Sequence, residues 1–414
     1  MRIEVICTGD EVLTGKTINS NFSAISQKLE DAGLAVVWET TVGDDRDSLL
    51  LAFQLAGARA DAVIVNGGLG PTVDDLSQEI AARAAGVELV LNEPWLERME
   101  EWFTRRNRVM PPNNKKQAML PSGCEVLDNP VGTACGFALT ISRARFYFTP
   151  GVPREMRRMV DDQIIPRLLA KSGAAATIFL KRFHSFGLGE SRVDAMLQGV
   201  ESLATSGVVK LGFRAHYPQL ETKLLVRGKD MADVRAMLAP VEAEVRRRMG
   251  NFIMTEDDQT LEALVLRELG TRNARLATAE TFTGGQIAVR LASQPDAAKV
   301  LARSTVALDR AELANACGAT EASAAAIAQA ARLASNVAYG LAAVVDLDDG
   351  TDRLDLGGSI AIAIATASET VTRNARMVGG REWITLGAAE MALDCLRRHL
   401  RGLPVDERID FEVR

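Results

Sequence analysis

Short apolar runs alternate with segments of helical periodicity through residues 1–170. The runs IEVICTG, from residue 3, and AVIVN, residues 62–66, are almost wholly apolar, which is typical of strands buried on both faces. Residues 18–33 and 44–59 carry apolar positions at helical spacing, and a second strand pattern at residues 34–41 lies between them. Strand, helix, strand, helix, strand predicts a parallel sheet covered by helices.

The rest of the chain shows two further patterns, separated by the polar stretch EDDQ at residues 256–259. Before it, strand-like runs at 177–183 and 220–227 accompany helical patterns at 190–197 and 231–249. After it, an alanine-rich segment predicts helices at 261–269, 321–339 and 387–400 and a strand at 357–367. We therefore predict three α/β domains, at residues 1–170, 171–255 and 256–414.

Composition supports a soluble, folded protein and narrows its partners. The chain has 414 residues, 47% of them hydrophobic and 25% charged, which suits two or three globular domains. Its five cysteines form no CxxC pair, and no apolar run approaches the roughly 18 residues that would span a bilayer. A cytoplasmic protein with no membrane partner is expected. The net charge of −6 makes nucleic acid an unlikely partner, although residues 171–255 hold 13 Lys and Arg against 8 Asp and Glu, a balance of +5.

The stretch NGGLGPTVDDLS, residues 66–77, joins the strand AVIVN to a helical pattern. Its glycines Gly67, Gly68 and Gly70 let backbone N–H groups approach a phosphate, and Thr72 adds a hydroxyl. The loop has neither a GxGxxG nor a GK[ST] motif, so a nucleotide is not specified by the pattern itself. A tight turn in which Asp74 or Asp75 caps the next helix is the structural alternative.

Carboxylates follow the first two strands, at Asp10 and Glu11 and at Asp44. Because loops that leave the same ends of parallel strands converge, these acids are expected to meet the glycine loop. Oxygen ligands beside a phosphate suit a divalent cation such as Mg²⁺, which could polarise a phosphoryl oxygen. Helix capping or simple solvation is the alternative for Asp10 and Asp44.

Residues 1–165 resemble the competence/damage-inducible protein A (CinA) family along nearly their whole length. The segments that carry the resemblance occur in that family's order: GDEVLTGKTINSN, TTVGDDRDSL, NGGLGPTVDDLS, MPPNNKKQAMLP, NPVGTACGF and FTPGVPREM. The resemblance implies a three-layer α/β domain similar to the molybdopterin-binding fold, a small KH-like αβ middle domain and an α/β CinA carboxy-terminal domain. It also implies a homodimer.

The resemblance further implies a metal-dependent ADP-ribose pyrophosphatase in the first domain, which releases AMP and a sugar phosphate. Its cofactor would be Mg²⁺, Mn²⁺ or Co²⁺, and its substrate a small nucleotide. A molybdopterin- or nucleotide-binding scaffold without turnover is the alternative. The implied roles are catalysis by Asp44, Asp74 and Asp75, metal binding by Asp10, Glu11, Asp44 and Asp75, and phosphate or nucleotide binding by Gly67, Gly68, Gly70, Thr72, Asn129, Gly132, Pro150 and Gly151.

The third domain departs from the family's nicotinamide mononucleotide deamidase pattern. The family has A-E-S-x-T-G-G with a serine nucleophile, whereas this chain reads AETFTGG at residues 279–285, with Thr281 in the serine position. Leu308 and Leu313 replace a tyrosine and a lysine, and the glycine-rich pocket loop is replaced near residues 345–350. Because leucine cannot exchange a proton, we predict that deamidase activity is lost and that Thr281, Thr283, Gly284 and Gly285 only cap a helix.

Overall fold

A computed structural model of the protein describes residues 1–172, 177–204, 208–348 and 357–413. The chain divides into two compact units, Met1–Phe179 and Leu180–Arg414, and each is described by itself. The predicted α/β class is confirmed, because each of the three larger sheets in the described residues is covered by helices.

The first unit is built on a six-stranded sheet with the order β2-β1-β3-β8-β7-β6. Strand β1 pairs in parallel with β2 on one side and β3 on the other, and β3 pairs in parallel with β8. The predicted parallel arrangement thus holds for the first three strands, while β7 and β6 are antiparallel additions. The strands are β1 (Ile3–Thr8), β2 (Val36–Val42), β3 (Ala62–Asn66), β6 (Glu125–Leu127), β7 (Gly136–Ile141) and β8 (Ala144–Thr149), and a separate pair is formed by β4 (Leu89–Leu91) and β5 (Met119–Pro121).

Helices cover both faces of this sheet and give the predicted three layers. Ile6 and Val65 belong to an apolar cluster on one face, whereas Val5 and Ile64 belong to a cluster on the other. Alternate residues of each strand therefore point into different cores, which explains why β1 and β3 are apolar throughout. The helices are α1 (Asp10–Leu13), α2 (Ser20–Asp31), α3 (Arg46–Arg59), α4 (Ser77–Ala85), α5 (Glu93–Thr104), α6 (Pro153–Met159) and α7 (Ile165–Ser172), with a π-helical turn at Val160–Ile164 between the last two.

The second unit begins with a four-stranded sheet in the order β10-β11-β9-β12. Strands β10 and β11 form an antiparallel hairpin, and β12 pairs antiparallel with β9. Leu224 and Val226 of β11 are buried, as are Val234 and Val241 of the long helix. The elements are β9 (Thr177–Phe186), α8 (Glu190–Leu197), β10 (Val208–His216), β11 (Gln219–Gly228), α9 (Met231–Met249) and β12 (Ile253–Glu256), and the first three residues of β9 still belong to the first unit.

The same unit ends with a five-stranded sheet in the order β14-β13-β15-β16-β17. Strand β13 is parallel to both neighbours, β14 and β15, and the last two strands are antiparallel. The elements are α10 (Leu261–Thr271), β13 (Leu276–Thr281), α11 (Gln286–Ala292), α12 (Ala297–Val300), β14 (Leu301–Ala307), α13 (Arg310–Cys317), α14 (Ala324–Ala334), β15 (Tyr339–Leu347), β16 (Gly357–Ala365), β17 (Thr370–Val378) and α15 (Arg381–Leu400).

One predicted helix, at residues 321–339, is wrong at both ends. The helix is limited to Ala324–Ala334, because Ser323 caps its first turn and Asn336 takes a left-handed φ of 49° just after its end. Tyr339 already belongs to β15. The predicted helix ran as far as the first residue of β15 because the segment is rich in alanine and because the apolar residues of β15 are buried on both faces, so they show no strand alternation.

Among the residues described, no helix combines the length and the apolar character needed to cross a bilayer.

Candidate functional site

Among the described residues, parallel strands reverse their order at two places, and ligands of open α/β sheets bind at such places. In the first unit this is the carboxyl end of β1, which lies between β2 and β3. In the carboxy-terminal sheet it is the carboxyl end of β13, between β14 and β15. Each is a candidate site, and each contains residues that the sequence singled out.

A cavity of about 390 Å³ opens at the carboxyl ends of β1 and β3. The predicted convergence of loops is therefore observed for most of the residues concerned. The predicted residues that line the cavity are Glu11, Asp44, Gly67, Gly68, Gly70, Asp74, Asp75, Pro150 and Gly151. Those that do not line it are Asp10, Thr72, Asn129 and Gly132.

The glycines of the loop are required by close packing as well as by conformation. Gly67 and Gly68 have φ angles of 112° and 69°. A Cβ at Gly67 would lie 2.5 Å from Thr8 Oγ1, and one at Gly68 would lie 2.4 Å from Ser77 Oγ. The loop therefore folds directly against the end of β1, an approach that any side chain would prevent.

Asp75 closes this loop on itself. Its Oδ2 accepts hydrogen bonds from the backbone N–H of Thr72 at 2.8 Å and from the Thr72 hydroxyl at 2.5 Å. The Lys116 ammonium donates to the Thr72 carbonyl from the opposite side. Asp75 thus forms the turn itself, whereas the predicted alternative of a cap on the next helix is not observed, because Leu76 precedes α4 and no side chain caps its first turn.

Asp10 and Asp44 are joined by two reciprocal hydrogen bonds. The Asp10 N–H donates to Asp44 Oδ2 at 3.1 Å, and the Asp44 N–H donates to Asp10 Oδ1 at 3.0 Å. Burial raises the pKa of Asp44, and the nearby carboxylates of Asp10, Glu11 and Asp74 raise it further. The two acids thus fasten the ends of β1 and β2 together.

The predicted metal ligands do not form a ready-made site. Across residues 1–172, 177–204, 208–348 and 357–413, no group of three or more His, Cys, Asp or Glu side chains has a geometry suited to a metal ion. One carboxylate oxygen of each of Asp10, Asp44 and Asp75 instead accepts a hydrogen bond from a backbone N–H group. We derive no metal chemistry from this cavity, and the divalent cation stays a prediction.

Glu155 is a cavity residue that the sequence reasoning missed, although its motif FTPGVPREM was recognised. Its Oε2 accepts from Asn129 Nδ2 at 2.7 Å, and burial raises the pKa of its carboxyl group. A Cβ at Gly132 would lie 2.2 Å from the Glu155 carboxyl group, so that glycine makes room for the acid. Asn129 and Gly132 therefore support Glu155 from behind the cavity wall. The spacing after Pro153 carried no signal that would have identified this acid.

The carboxy-terminal candidate site is the turn at residues 281–285, between β13 and α11. Phe282 has a φ of 61°, and Gly284 and Gly285 have φ angles of 63° and 88°. A left-handed conformation is unfavourable for a bulky residue such as phenylalanine, and such strain gathers at functional sites. The turn therefore has a feature that simple helix capping does not require.

A buried carboxylate holds this turn in place. Glu280, which is fully buried, accepts from the Thr283 hydroxyl at 2.5 Å and from the backbone N–H groups of Ile287 and Ala288 at 3.1 and 2.9 Å. The Thr281 hydroxyl accepts from Val345 N at 2.8 Å and lies 3.3 Å from Val345 O. Both threonine hydroxyls are thus buried and hydrogen-bonded inside the protein.

The two leucines that replace the family's polar residues lie in different environments. Leu313 is fully buried in the apolar cluster of α13, α14 and the sheet, whereas Leu308 is 87% exposed just after β14. The replaced pocket loop is described as far as Asp348, which pairs with Arg376 at 2.6 Å, and its residues 349 and 350 lie outside the described residues.

Arg381 is a further residue that sequence reasoning missed. Its guanidinium carbon lies 5.1 Å from the centre of the Phe282 ring, so the first residue of α15 places a cation beside the strained turn. The pattern Gly379-Gly380-Arg381 at the start of a helix was a possible signal, because paired glycines before a helix often accompany a closely approached site.

The sequence matches three families in succession. Residues 4–170 match the family described as a probable molybdopterin binding domain. Residues 181–254 match the damage-inducible protein CinA KH domain, and residues 258–400 match the CinA C-terminal domain. The predicted three-domain α/β architecture is thereby confirmed.

Similar proteins extend over almost the whole chain. A "CinA-like protein" from Shewanella sediminis (strain HAW-EB3) is 36% identical over 416 residues, which cover 97% of this chain and 96% of the relative. A "Nicotinamide-nucleotide amidohydrolase PncC" from Shewanella oneidensis is 35% identical over 414 residues, with the same coverage. Among solved structures, "the protein CinA with unknown function" from Thermoplasma acidophilum is 32% identical, with a TM-score of 0.37, and the match covers 41% of this chain and 96% of that one.

These relatives contradict the functional prediction made from the sequence. A relative aligned from end to end is named an amidohydrolase, and no relative reported above is named a pyrophosphatase. The prediction of a metal-dependent ADP-ribose pyrophosphatase is therefore wrong. The alternative prediction, a non-catalytic binding scaffold, is no better supported by these relatives. The prediction that the third domain has lost its deamidase activity is not confirmed, because residues 258–400 match the CinA C-terminal domain and a relative that spans them is named an amidohydrolase.

Proposed function

This chain belongs to the CinA family, and on that basis we propose that its carboxy-terminal domain hydrolyses the carboxamide of a nicotinamide nucleotide. The strained 281–285 turn carries the proposal, because Phe282 is held at a φ of 61° where the parallel strands reverse their order. The amidohydrolase named among the relatives supports the choice of substrate.

The chemistry that we propose is acyl transfer to a threonine followed by hydrolysis. The Thr281 oxygen attacks the carboxamide carbon, the C–N bond breaks, and ammonia leaves with the proton that the hydroxyl gives up. Water then cleaves the threonine ester, releases the carboxylate and restores the hydroxyl. The net reaction consumes one water and yields a nicotinate nucleotide and ammonia.

The residues around the turn supply binding and orientation in this proposal. The backbone N–H groups of Gly284 and Gly285 are the candidate donors to the oxyanion that forms on the attacked carbonyl. The Arg381 guanidinium, beside Phe282, is the candidate partner for the nucleotide phosphate. Glu280 keeps the turn in shape through Thr283 and the first amides of α11.

Thr281 must leave its present hydrogen bonds before it can react. Its hydroxyl faces Val345 of β15, so the side chain has to rotate about the Cα–Cβ bond to reach a substrate. Rotation is restricted because threonine is branched at Cβ. Turnover is therefore expected to be slow, and faster with serine at this position.

The test is ammonia and nicotinate mononucleotide release from nicotinamide mononucleotide by the purified chain. Thr281→Ala should lower kcat by about 10³-fold or more, since it removes the nucleophile. Thr281→Ser should raise kcat about tenfold, or about 1.4 kcal/mol of activation free energy, because serine lacks the methyl group that restricts rotation about the Cα–Cβ bond.

Asp75→Ala is the matched control, because it removes a carboxylate from the other candidate site and should leave ammonia release unchanged. The proposal fails if the unaltered chain releases no ammonia, or if Asp75→Ala abolishes release while Thr281→Ala does not.

We also propose that the reaction takes place in the cytoplasm. All five cysteines are unpaired, and burial raises the pKa of the Cys7 and Cys124 thiols to about 11. Unpaired thiols suit a reducing compartment.

A further inference from the structure

The hairpin of β10 and β11 packs its tip against the start of α15. The Tyr217 hydroxyl donates to the Trp383 carbonyl at 3.0 Å, and the centres of the two rings are 3.8 Å apart. A Cβ at Gly387, one turn further along α15, would lie 2.5 Å from the Tyr217 oxygen. The helix therefore admits the tyrosine only because that position is glycine.

The second contact of the hairpin tip is with a buried carboxylate. Gln219 Nε2 donates to Glu390 Oε1 at 2.7 Å, and Glu390 is only 1% exposed. The other oxygen, Oε2, lies 2.8 Å from an Arg290 nitrogen. Arg290 also contacts Glu262 of α10 at 2.5 Å. Each oxygen of Glu390 thus has a partner from a different element, one from the middle domain and one from α11.

These contacts lead directly to the 281–285 turn. Arg290 belongs to α11, which starts at the residue after the turn, and α15 starts with Arg381, which lies over Phe282. Glu390 also belongs to α15, so the hairpin contacts α15 directly at Trp383 and Glu390, and α11 is joined to the hairpin through the Arg290–Glu390 pair. Buried polar networks of this kind set orientation, because each member is costly to leave without its partner.

We propose that Gln219 and Tyr217 of the middle domain are positioning residues for the 281–285 turn, acting through Glu390, Arg290 and Trp383. The catalytic meaning of this inference rests on the proposed amidohydrolase function, whereas the mechanical link between hairpin and turn does not. The hairpin of the middle domain would then hold α11 and α15 in a fixed orientation around the turn, and we call this role the brace.

The experiment compares four full-length variants by two independent measurements. Gln219→Met keeps the side-chain length but removes the donor to Glu390. Gln219→Lys keeps a donor and adds a second positive charge to a group in which Arg290 faces two carboxylates, those of Glu262 and Glu390. Tyr217→Phe keeps the ring contact with Trp383 and removes only the hydroxyl. His216→Ala is the control, because it changes an exposed side chain of the same hairpin. The measurements are amide hydrogen exchange over residues 282–290 and the kcat and KM of ammonia release.

With Gln219→Met we expect exchange at Ile287 and Ala288 to rise about tenfold and kcat to fall about tenfold, with KM changed by less than about twofold. Gln219→Lys should restore most of the protection against exchange and most of the kcat. His216→Ala should change neither the exchange nor the kcat. Tyr217→Phe should give a smaller effect in the same direction, and it replaces Gln219→Met if that variant does not fold.

The results separate this inference from the proposed function. Unchanged exchange over residues 282–290 in folded Gln219→Met overturns the brace, whatever the activity. Faster exchange with an unchanged kcat overturns the positioning role, and so does an equal effect of His216→Ala. If the unaltered chain releases no ammonia but exchange responds as expected, the proposed function fails and the brace stands.

Discussion

Single buried charges tie together elements that lie far apart in the sequence of the first unit. Glu4 of β1 is fully buried, and its oxygens accept from Arg59 at the end of α3, at 2.8 and 2.5 Å, and from the Thr40 hydroxyl of β2 at 2.8 Å. Arg59 also lies over the Trp38 ring, 5.1 Å from its centre. Glu4 is the second residue of the run IEVICT, and the sequence did not predict its partners, because they come from two other elements.

Arg59→Met should destabilise the first unit by about 3 kcal/mol, because it leaves the buried Glu4 carboxylate without its cation. The measurement is urea unfolding of the full chain followed by circular dichroism. The double variant Glu4→Leu with Arg59→Met should recover most of that loss, since no charge then remains buried. A loss below about 1 kcal/mol in Arg59→Met would show that Thr40 and water satisfy the acid.

Asp75 shows the same limit at a candidate site. Its residue type and its position after a glycine loop predicted a catalytic or metal-binding acid, with a tight turn and a helix cap as the alternative. The hydrogen bonds from Thr72 N and Thr72 Oγ1 to Asp75 Oδ2, which only the structure shows, give the Asp75 side chain its structural role.

At the scale of the element, the ends of helices were the most predictable features. The middle-domain helices at residues 190–197 and 231–249 have the predicted bounds. In the first unit, helix α2 ends before Gly33 and α4 before Gly86, with left-handed φ angles of 72° and 69°. Glycine is favoured at such positions because it has no Cβ, so local chemistry is sufficient to end the helix.

These two glycines nevertheless differ in their surroundings, which gives a matched pair. A Cβ at Gly33 would lie 2.2 Å from Ile178 Cδ1, whereas a Cβ at Gly86 would meet nothing within 4 Å. Gly86→Ala should therefore cost only the conformational strain, about 1 kcal/mol. Gly33→Ala should cost clearly more, about 2–3 kcal/mol, because Ile178 must also move.

The difference is measured by chemical denaturation of both variants under the same conditions. Equal losses for the two substitutions would mean that Ile178 yields without cost and that the close approach at Gly33 has no energetic weight.

At the scale of the whole molecule, a cluster of charges joins the middle domain to the start of the third domain within the second unit. Glu256, the last residue of β12, lies 2.7 Å from nitrogens of both Arg246 of α9 and Lys181 of β9. Lys181, only 7% exposed, also contacts Asp257 at 2.6 Å. Arg246 first, and then Lys181, lower the pKa of Glu256 from 4.5 to about 2.

A lowered pKa in the folded state predicts stability that is complete above the unfolded pKa and is lost on acidification. The contribution of Glu256 should therefore be intact above about pH 5 and should fall between about pH 4.5 and pH 2. Thermal unfolding of the second unit, measured between pH 7 and pH 3, should show this decline. Glu256→Gln should be less stable at pH 7 and should flatten the decline, and an unaltered slope in that variant would exclude Glu256 as its source.

The sequence by itself determined the class of the protein, its three domains and most of its regular elements. Apolar periodicity, glycine stops and capping residues are local properties, so they act wherever the chain lies. The glycine loop at residues 66–77 was recognised for the same reason, because φ angles such as the 112° of Gly67 demand glycine whatever the neighbours are.

Only the tertiary structure decided what the charged and hydroxyl groups do. Glu280 reaches Ile287 and Ala288, Thr281 faces Val345, and Glu390 meets Gln219 and Arg290 through contacts that span up to 171 positions of sequence. A polar side chain takes its role from the partner that satisfies it, and that partner is set by the folding of distant segments rather than by the residues beside it. For this reason the fold could be predicted from the sequence, whereas the roles of the polar residues at its sites could not.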